Sequence, residues 1–116
     1  PVKVRSNGHE RVLVQDDPGL VVFDTYGKHL RTLGKSTTGN FISFDHYGEG
    51  VVLLDSNAVR AFSISGEKLW EREIPAAGES VVRTPVDIRT GKDRIFILFP
   101  DRIVLLPEPA DIHREP

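Results

Sequence analysis

Apolar and polar residues alternate with a period of two along most of the chain, and no stretch of about ten residues has the 3.6-residue period of an amphipathic helix. Short runs of Val, Ile, Leu and Phe are separated by clusters of Gly, Asp, Asn, Ser and Pro, which are the residues of tight turns. The pattern predicts an all-β chain without helices. The predicted strands are Val2–Arg5, Arg11–Gln15, Leu20–Asp24, Leu30–Leu33, Phe41–Asp45, Val51–Asp55, Ala58–Ser63, Lys68–Ile74, Val86–Arg89, Ile95–Phe99 and Arg102–Leu106, with at most a short further strand near Ile112.

The strand pattern occurs three times. The second copy follows the first at an interval of 39 residues, and the third follows the second at 44. The larger second interval is explained by a longer connection at Pro75 to Thr84. The matching residues of the first two copies are Val12 and Val51, Asp16 and Asp55, Phe23 and Phe62, Gly27 and Gly66, and Leu30 and Leu69; those of the last two include Val51 and Ile95, Leu54 and Leu98, Asn57 and Asp101, and Phe62 and Leu106.

Each copy reads as four antiparallel strands, which we label A to D, within about 40 residues, the length and layout of a β-propeller blade. The sequence therefore predicts one β domain over residues 1–116, with blade units at about 1–34, 41–74 and 85–116. Regular strand spacing is also found in a β-sandwich, and that architecture is the alternative.

The stretch VVLLDSNAVRAFSISGEKLW (Val51 to Trp70) resembles the repeats of NHL-type and PQQ-like propellers. The shared pattern is V-x-L-x-D-x-x-x-V-x-x-F-x-x-x-G-x-x-L, and GEKLW is similar to the end of a PQQ-type repeat. The resemblance implies a hairpin of strands B and C, a Gly turn and an outer strand D. Such propellers serve in scaffolding, RNA binding, quinoprotein oxidation and lactone hydrolysis, so the resemblance implies a fold without implying one activity.

Three blades are fewer than the roughly four to eight of a closed propeller, and they leave two apolar sheet faces open. We therefore expect half of a six-bladed propeller that completes its ring with another copy of the chain, or a part of a longer propeller. The expected partner is a protein, and most simply a second copy.

Charge and composition exclude several classes of function. The net charge is -2 and the basic residues are scattered, which argues against nucleic-acid binding. No apolar run approaches the roughly 20 residues of a membrane helix, so no membrane insertion is expected. Without Cys, there is neither a disulfide nor a thiolate site. The chain does not begin with Met, which a cleaved signal peptide, a processed precursor or a disordered segment before Pro1 would each explain; the compartment stays open, with a preference for a periplasmic or secreted location.

Polar residues in the D–A and B–C loops are the candidate ligand site, because these loops of a propeller open onto one face around its axis. Asp and Asn are also the usual residues of hairpin turns, where their side chains bond the local backbone, and this is the competing interpretation. Three of the oxygen-bearing residues occupy similar repeat positions and could bind Ca²⁺; otherwise no cofactor is expected. The candidates are Asp17, Asn40, Asn57, Arg83, Asp101 and Arg102, and those proposed for the metal are Asp17, Asn57 and Asp101.

Other chemical motifs are weaker. Gly34-Lys35-Ser36 is the end of a phosphate-binding loop, but His29 stands where that motif needs Gly, and a loop is predicted there. The histidines share no ligand spacing, and His46 is placed in a tight A–B turn. Asp24 and Asp45 follow Phe at strand ends, where a carboxylate can accept from backbone N–H groups. Trp70 is expected to pack between blades.

The sequence thus predicts a binding or scaffolding propeller module rather than an enzyme. One alternative is a calcium-dependent, lactonase-like propeller hydrolase. Another is a small carbohydrate-binding propeller, although such proteins typically line their sites with Trp and this chain has only one.

Overall fold

A computed structural model describes residues 4–6, 11–16, 19–74, 84–91 and 94–107. Within these ranges the chain forms strands joined mainly by tight turns, together with one short helix. The elements are β1 (Val4–Ser6), β2 (Arg11–Asp16), β3 (Gly19–Asp24), β4 (His29–Gly34), α1 (Lys35–Thr38), β5 (Ser43–Tyr47), β6 (Gly50–Leu54), β7 (Ala58–Phe62), β8 (Lys68–Glu73), β9 (Asp87–Gly91), β10 (Arg94–Phe99) and β11 (Arg102–Pro107).

The strands form three antiparallel sheets, each a simple meander in chain order. We call them the first sheet (β1-β2-β3-β4), the middle sheet (β5-β6-β7-β8) and the third sheet (β9-β10-β11). This confirms the predicted all-β class and the four-strand unit for the first two copies. The further strand suggested near Ile112 lies outside the described residues, as does the start of the first predicted strand.

The middle sheet is covered on both faces. One face packs on the first sheet through Phe44, Val51, Leu53 and Phe62, which meet Leu13, Leu20, Val22 and Leu33. The opposite face packs on the third sheet through Val52, Leu54, Val59, Ala61 and Trp70, which meet Ile88, Ile95, Ile97, Phe99 and Leu106. Successive side chains of a strand point to opposite faces, so every residue of β6 is buried. Three sheets stacked in series are the arrangement of propeller blades rather than of a two-layer sandwich.

The turn that leads into the outer strand is the same in the first two sheets. The amide of Gly27 donates to the carbonyl of Asp24 at 3.1 Å, and that of Gly66 donates to the carbonyl of Ser63 at 2.9 Å. Both glycines have positive φ, +88° and +97°, a region that residues with a Cβ rarely occupy. The recurrence of Gly at this turn, 39 residues later in the second copy, thus has a conformational cause.

A β-bulge follows that turn in both sheets. The register between β3 and β4 shifts at Val22/Phe23, and the register between β7 and β8 shifts at Ala61/Phe62. The shift passes over Leu30 in the first sheet and over its repeat partner Leu69 in the middle sheet. Both leucines are therefore exposed on the outer strands, at 43% and 41%.

The short helix α1 corrects the prediction of a helix-free loop between the first two sheets. It has four residues, and the amide of Gly39, whose φ is +62°, closes it by donating to the carbonyl of Lys35 at 2.8 Å. One turn of helix is too short to produce a 3.6-residue period, so the hydrophobic pattern could not indicate it.

The outward surfaces of the end sheets carry clusters of apolar side chains, with Arg89 beside Phe96 on the third sheet, and have no sheet packed on them in the described structure. The third-sheet open face consists of the cross-strand pairs Phe96 with Leu105 and Leu98 with Ile103. Ile103 is 64% exposed and Leu105 is 51% exposed. The first-sheet open face consists of the row Val4, Val14 and Val21 and the pair Val12 and Phe23. Among the described residues no helix is long and apolar enough to cross a membrane.

Candidate functional site

The first strands of the three sheets, β1, β5 and β9, lie side by side, and their polar side chains bond across the sheets. An edge strand carries a row of N–H and C=O groups that no neighbouring strand pairs, so polar side chains are favoured beside it. We call this group the axial cluster, and it comprises Arg5, Ser43, Asp45, His46, Asp87 and Thr90.

Asp87 receives donors from all three sheets. The guanidinium of Arg5 donates to its two carboxylate oxygens at 3.0 and 3.2 Å. The hydroxyl of Ser43 donates at 2.6 Å, and the amide of Ile88 donates at 2.9 Å. Arg89 lies 3.0 Å from the second carboxylate oxygen. The Arg5 and Asp87 side chains are 17% and 19% exposed, so the ion pair is shielded from water.

Asp45 likewise accepts hydrogen bonds that link two sheets, here the middle and third sheets. One carboxylate oxygen accepts from the amide of Thr90 at 2.8 Å, and the other accepts from the amide of His46 at 2.8 Å. The hydroxyl of Thr90 donates to the carbonyl of His46 at 2.8 Å. The prediction that Asp45 bonds backbone donors is confirmed. It is confirmed for Asp24 as well, whose carboxylate accepts from the amides of Tyr26 and Lys28, each at 2.9 Å.

His46 joins the first and middle sheets. Its Nε2 lies 3.2 Å from the carbonyl oxygen of Arg5. Burial lowers the pKa of His46 below its usual value of 6.5; the Arg5 carbonyl and the Asp45 charge raise it in part, and Arg11 lowers it further. The ring is thus held neutral near pH 7. The prediction of a tight A–B turn was wrong for His46, because the residue lies on β5.

The geometry of the axial cluster suits cohesion better than catalysis. Asp45 and Asp87 already accept several hydrogen bonds each, and His46 is directed at a backbone carbonyl rather than at a nucleophile. In the described part of the chain no group of three or more His, Asp or Glu side chains is placed to hold a metal ion. The cluster therefore works as a set of polar links between blades.

The sequence interpretation missed four members of the cluster: Arg5, Ser43, Asp87 and Thr90. One signal was available, because Ser43 and Asp87 are 44 residues apart and so share a repeat position at the start of the first strand. A polar residue there in two copies indicates a polar axis. The bond from Arg5 to Asp87 joins the outer two blades, which no local pattern could reveal.

Two of the predicted ligand residues serve their own turns. Asn57 lies in the exposed turn between β6 and β7; its backbone N–H donates to the carboxylate of Asp55 at 2.9 Å, and its backbone carbonyl accepts from the backbone N–H of Ile74 at 2.8 Å. Asp101 lies in the turn between β10 and β11, 2.8 Å from the guanidinium of Arg102.

The other predicted residues are placed separately. The guanidinium of Arg102 lies 3.9 Å from the ring centre of Phe99. Asn40 is exposed after α1, where its carbonyl accepts from Arg60 at 3.1 Å. Asp17 and Arg83 lie outside the described residues. A ligand site built from these loops stays a prediction.

Arg60 is a further residue that the sequence did not single out. From β7 it donates to the carbonyl of Thr38 at 2.6 Å, besides its bond to Asn40, and its Nε lies 3.4 Å from Asp55. It thereby ties the connection between the first and middle sheets to the middle sheet.

Trp70 packs between the middle and third sheets, as predicted. It is 9% exposed, and its indole N–H donates to the hydroxyl of Tyr47 at 3.2 Å. The two rings meet edge to face with centroids 5.6 Å apart. A buried indole is not presented on the rim for a sugar to stack on.

Comparison with known proteins supports the fold and leaves the family open. No protein-family model matches the chain, and no curated protein matches its sequence significantly. The crystal structure of Myxococcus xanthus glutaminyl cyclase, whose fold is propeller-like, is similar, with a TM-score of 0.60 and 14% sequence identity. The match covers 83% of this chain and 42% of that one, so the chain spans less than half of that structure's length. At this identity the likeness shows the fold alone.

Proposed function

We propose that the chain is a non-catalytic, protein-binding segment of a β-propeller, whose end sheets are covered by further blades, most simply those of another copy. The observation that carries this proposal is the unequal burial of equivalent positions. Val59 and Ala61 of the middle sheet are completely buried, whereas Ile103 and Leu105, 44 residues later, are 64% and 51% exposed.

The open faces are apolar enough to favour association. Complete burial of one Val, Leu, Ile or Phe side chain contributes about 1.5–3 kcal/mol, so the third-sheet open face, with two half-exposed and two partly buried side chains, contributes on the order of 3 kcal/mol. A scaffold that presents such faces binds protein by extending its stack of sheets.

The blades are of NHL or PQQ-like type in this proposal. Its support is the shared Gly turn at Gly27 and Gly66, together with the bulge that follows it in both sheets. A calcium-dependent hydrolase has no specific support, because Asp101 pairs with Arg102 and, among the described residues, no group of three or more His, Asp or Glu side chains is placed to hold a metal ion. The catalytic identity of the glutaminyl cyclase is not transferred, since the likeness rests on 14% identity.

Light scattering on a sizing column, over a series of protein concentrations, tests the proposal. The expected mass approaches twice 12.9 kDa as concentration rises. A mass of one chain at every concentration would show that the open faces do not bind the chain itself, and the proposed self-association would then be abandoned.

A further inference from the structure

The two open faces differ in a way that determines how they meet. The third-sheet open face repeats the surface with which the middle sheet covers the third: Phe96, Leu98, Ile103 and Leu105 stand 44 residues after Val52, Leu54, Val59 and Ala61. In the middle sheet, the equivalent face is covered by the third sheet. On the third sheet, no sheet covers this face in the described structure.

The first-sheet open face corresponds to the surface of the third sheet that packs on the middle sheet. Val12, Val14 and Phe23 correspond through both intervals to Ile95, Ile97 and Leu106, which pack on the middle sheet. Val4 completes the set, because it pairs with Val14 as Ile88 pairs with Ile97. We call the packed contact between the middle and third sheets the internal joint. The third-sheet open face corresponds to the middle-sheet side of this joint, and the first-sheet open face corresponds to the third-sheet side.

Side-chain sizes change in opposite directions on the two faces. The third-sheet open face has larger side chains than the equivalent middle-sheet surface at three positions. The pairs are Phe96 for Val52, Ile103 for Val59 and Leu105 for Ala61. The first-sheet open face is smaller at three positions, with Val for Ile each time, and larger at one, with Phe23 in place of Leu106, so that it is reduced on balance. Close packing requires that an enlarged surface meet a reduced one.

We infer that two copies of this chain associate head to tail, with the third-sheet open face of each on the first-sheet open face of the other. This rests on the proposed function and adds the pairing of faces. Two such joints are related by one two-fold axis along the propeller axis, so the assembly closes with six sheets, within the range of natural propellers. Pairing of like faces would instead place two enlarged surfaces together.

Charge substitutions at matched, half-exposed positions test the pairing. Leu105→Glu alters only the third-sheet open face, and Val4→Lys alters only the first-sheet open face; these residues are 51% and 53% exposed. Leu69→Glu is the control, since Leu69 is 41% exposed on the outer strand of the middle sheet, away from both open faces. Far-UV circular dichroism and Trp70 fluorescence verify that each variant is folded.

Head-to-tail pairing predicts that Leu105→Glu and Val4→Lys each raise the dimer dissociation constant about 100-fold, the size of effect for a central interface residue. Leu69→Glu leaves it unchanged. An equimolar mixture of the two interface variants regains the dimer mass, because one joint is then unaltered and the other brings the introduced carboxylate to the introduced ammonium.

Failure of the pairing is distinct from failure of the proposed function. A wild-type dimer that is broken by only one of the two interface substitutions would show that like faces meet, and so would a mixture that stays monomeric. Either result overturns the head-to-tail pairing and leaves self-association standing. A wild-type chain that is monomeric at every concentration overturns both.

Discussion

The ion pair between Arg5 and Asp87 joins the first and third sheets across the middle one, and we expect it to be a large polar contribution to the cohesion of the stack. Arg5→Met keeps most of the side-chain stem and removes the guanidinium. Asp87→Ala removes the carboxylate that accepts from Arg5 and Ser43. These two variants and the double variant form a double-mutant cycle.

The expected magnitude follows from the geometry. A hydrogen bond to a charged group contributes about 1.5–3 kcal/mol, and loss of one partner also leaves the other group without its bond. Both side chains are less than one-fifth exposed, at 17% and 19%, so screening by water is limited. Asp87→Ala should lower the free energy of unfolding by about 2–4 kcal/mol and Arg5→Met by about 1–2 kcal/mol, with a coupling energy of about 1–2 kcal/mol.

Urea unfolding followed by Trp70 fluorescence measures these free energies, because Trp70 is the only Trp and is buried between the middle and third sheets. The matched control is the exposed pair Lys68 and Glu71, whose charged atoms are 2.6 Å apart on one outer strand. An exposed pair contributes about 0–1 kcal/mol, so Lys68→Met with Glu71→Ala should show little coupling. A coupling energy between Arg5 and Asp87 no larger than that of the control would refute the argument that the axial cluster holds the sheets together.

Three further predictions concern the pH response, the core and the turns. Burial lowers the pKa of His46, so the unfolded chain takes up a proton more readily as the pH falls below 6.5; the wild type should lose stability from pH 6.5 towards 5 more steeply than His46→Gln. Equal slopes in wild type and His46→Gln would contradict this. Phe44→Ala should lower the free energy of unfolding by about 3–5 kcal/mol in urea titrations, because Phe44 is fully buried between the first and middle sheets; a loss under about 1 kcal/mol would contradict the assigned core. Gly27→Ala and Gly66→Ala should each lower the melting temperature through a cost of about 1–2 kcal/mol from their positive φ, and Gly27→Asn should cost less; neutral Ala variants would contradict that cause.

The repeat made the fold predictable. Residues 39 and 44 apart occupy equivalent places because the same strands and turns are rebuilt, and Gly27 and Gly66 mark one turn that needs positive φ. The helix α1 was missed because four residues carry no helical period. His46 was misplaced by a few residues, since Gly48 and Glu49 form the turn and the strand continues to Tyr47.

The candidate site was less predictable, because its bonds join residues that are distant in sequence. Asp45 was identified as a backbone acceptor from a predicted strand end, although it lies in the middle of β5, and its donor Thr90 is 45 residues away in the sequence. The cluster around Asp87 depends on three first strands lying side by side, which is a property of the stacked sheets. The loop residues Asn57 and Asp101 were selected for their side-chain oxygens, but residues of this kind are also usual in tight turns, as where the Asp55 carboxylate accepts from the backbone N–H of Asn57.

The third-sheet open face has the sequence of a covered surface rather than of a solvent-facing one. An antiparallel sheet with one face in water shows polar residues at alternate positions. The strand β8, with the sequence KLWERE, has exposed charged residues at several positions, as an outer strand should. The strand β10 reads RIFILF and is apolar on both faces, like the completely buried β6 with the sequence GVVLL. Since a solvated face gains nothing from Phe96 and Leu98, the composition of β10 agrees with the proposed packing of a further sheet against it, for which the first-sheet open face would supply the matching side chains.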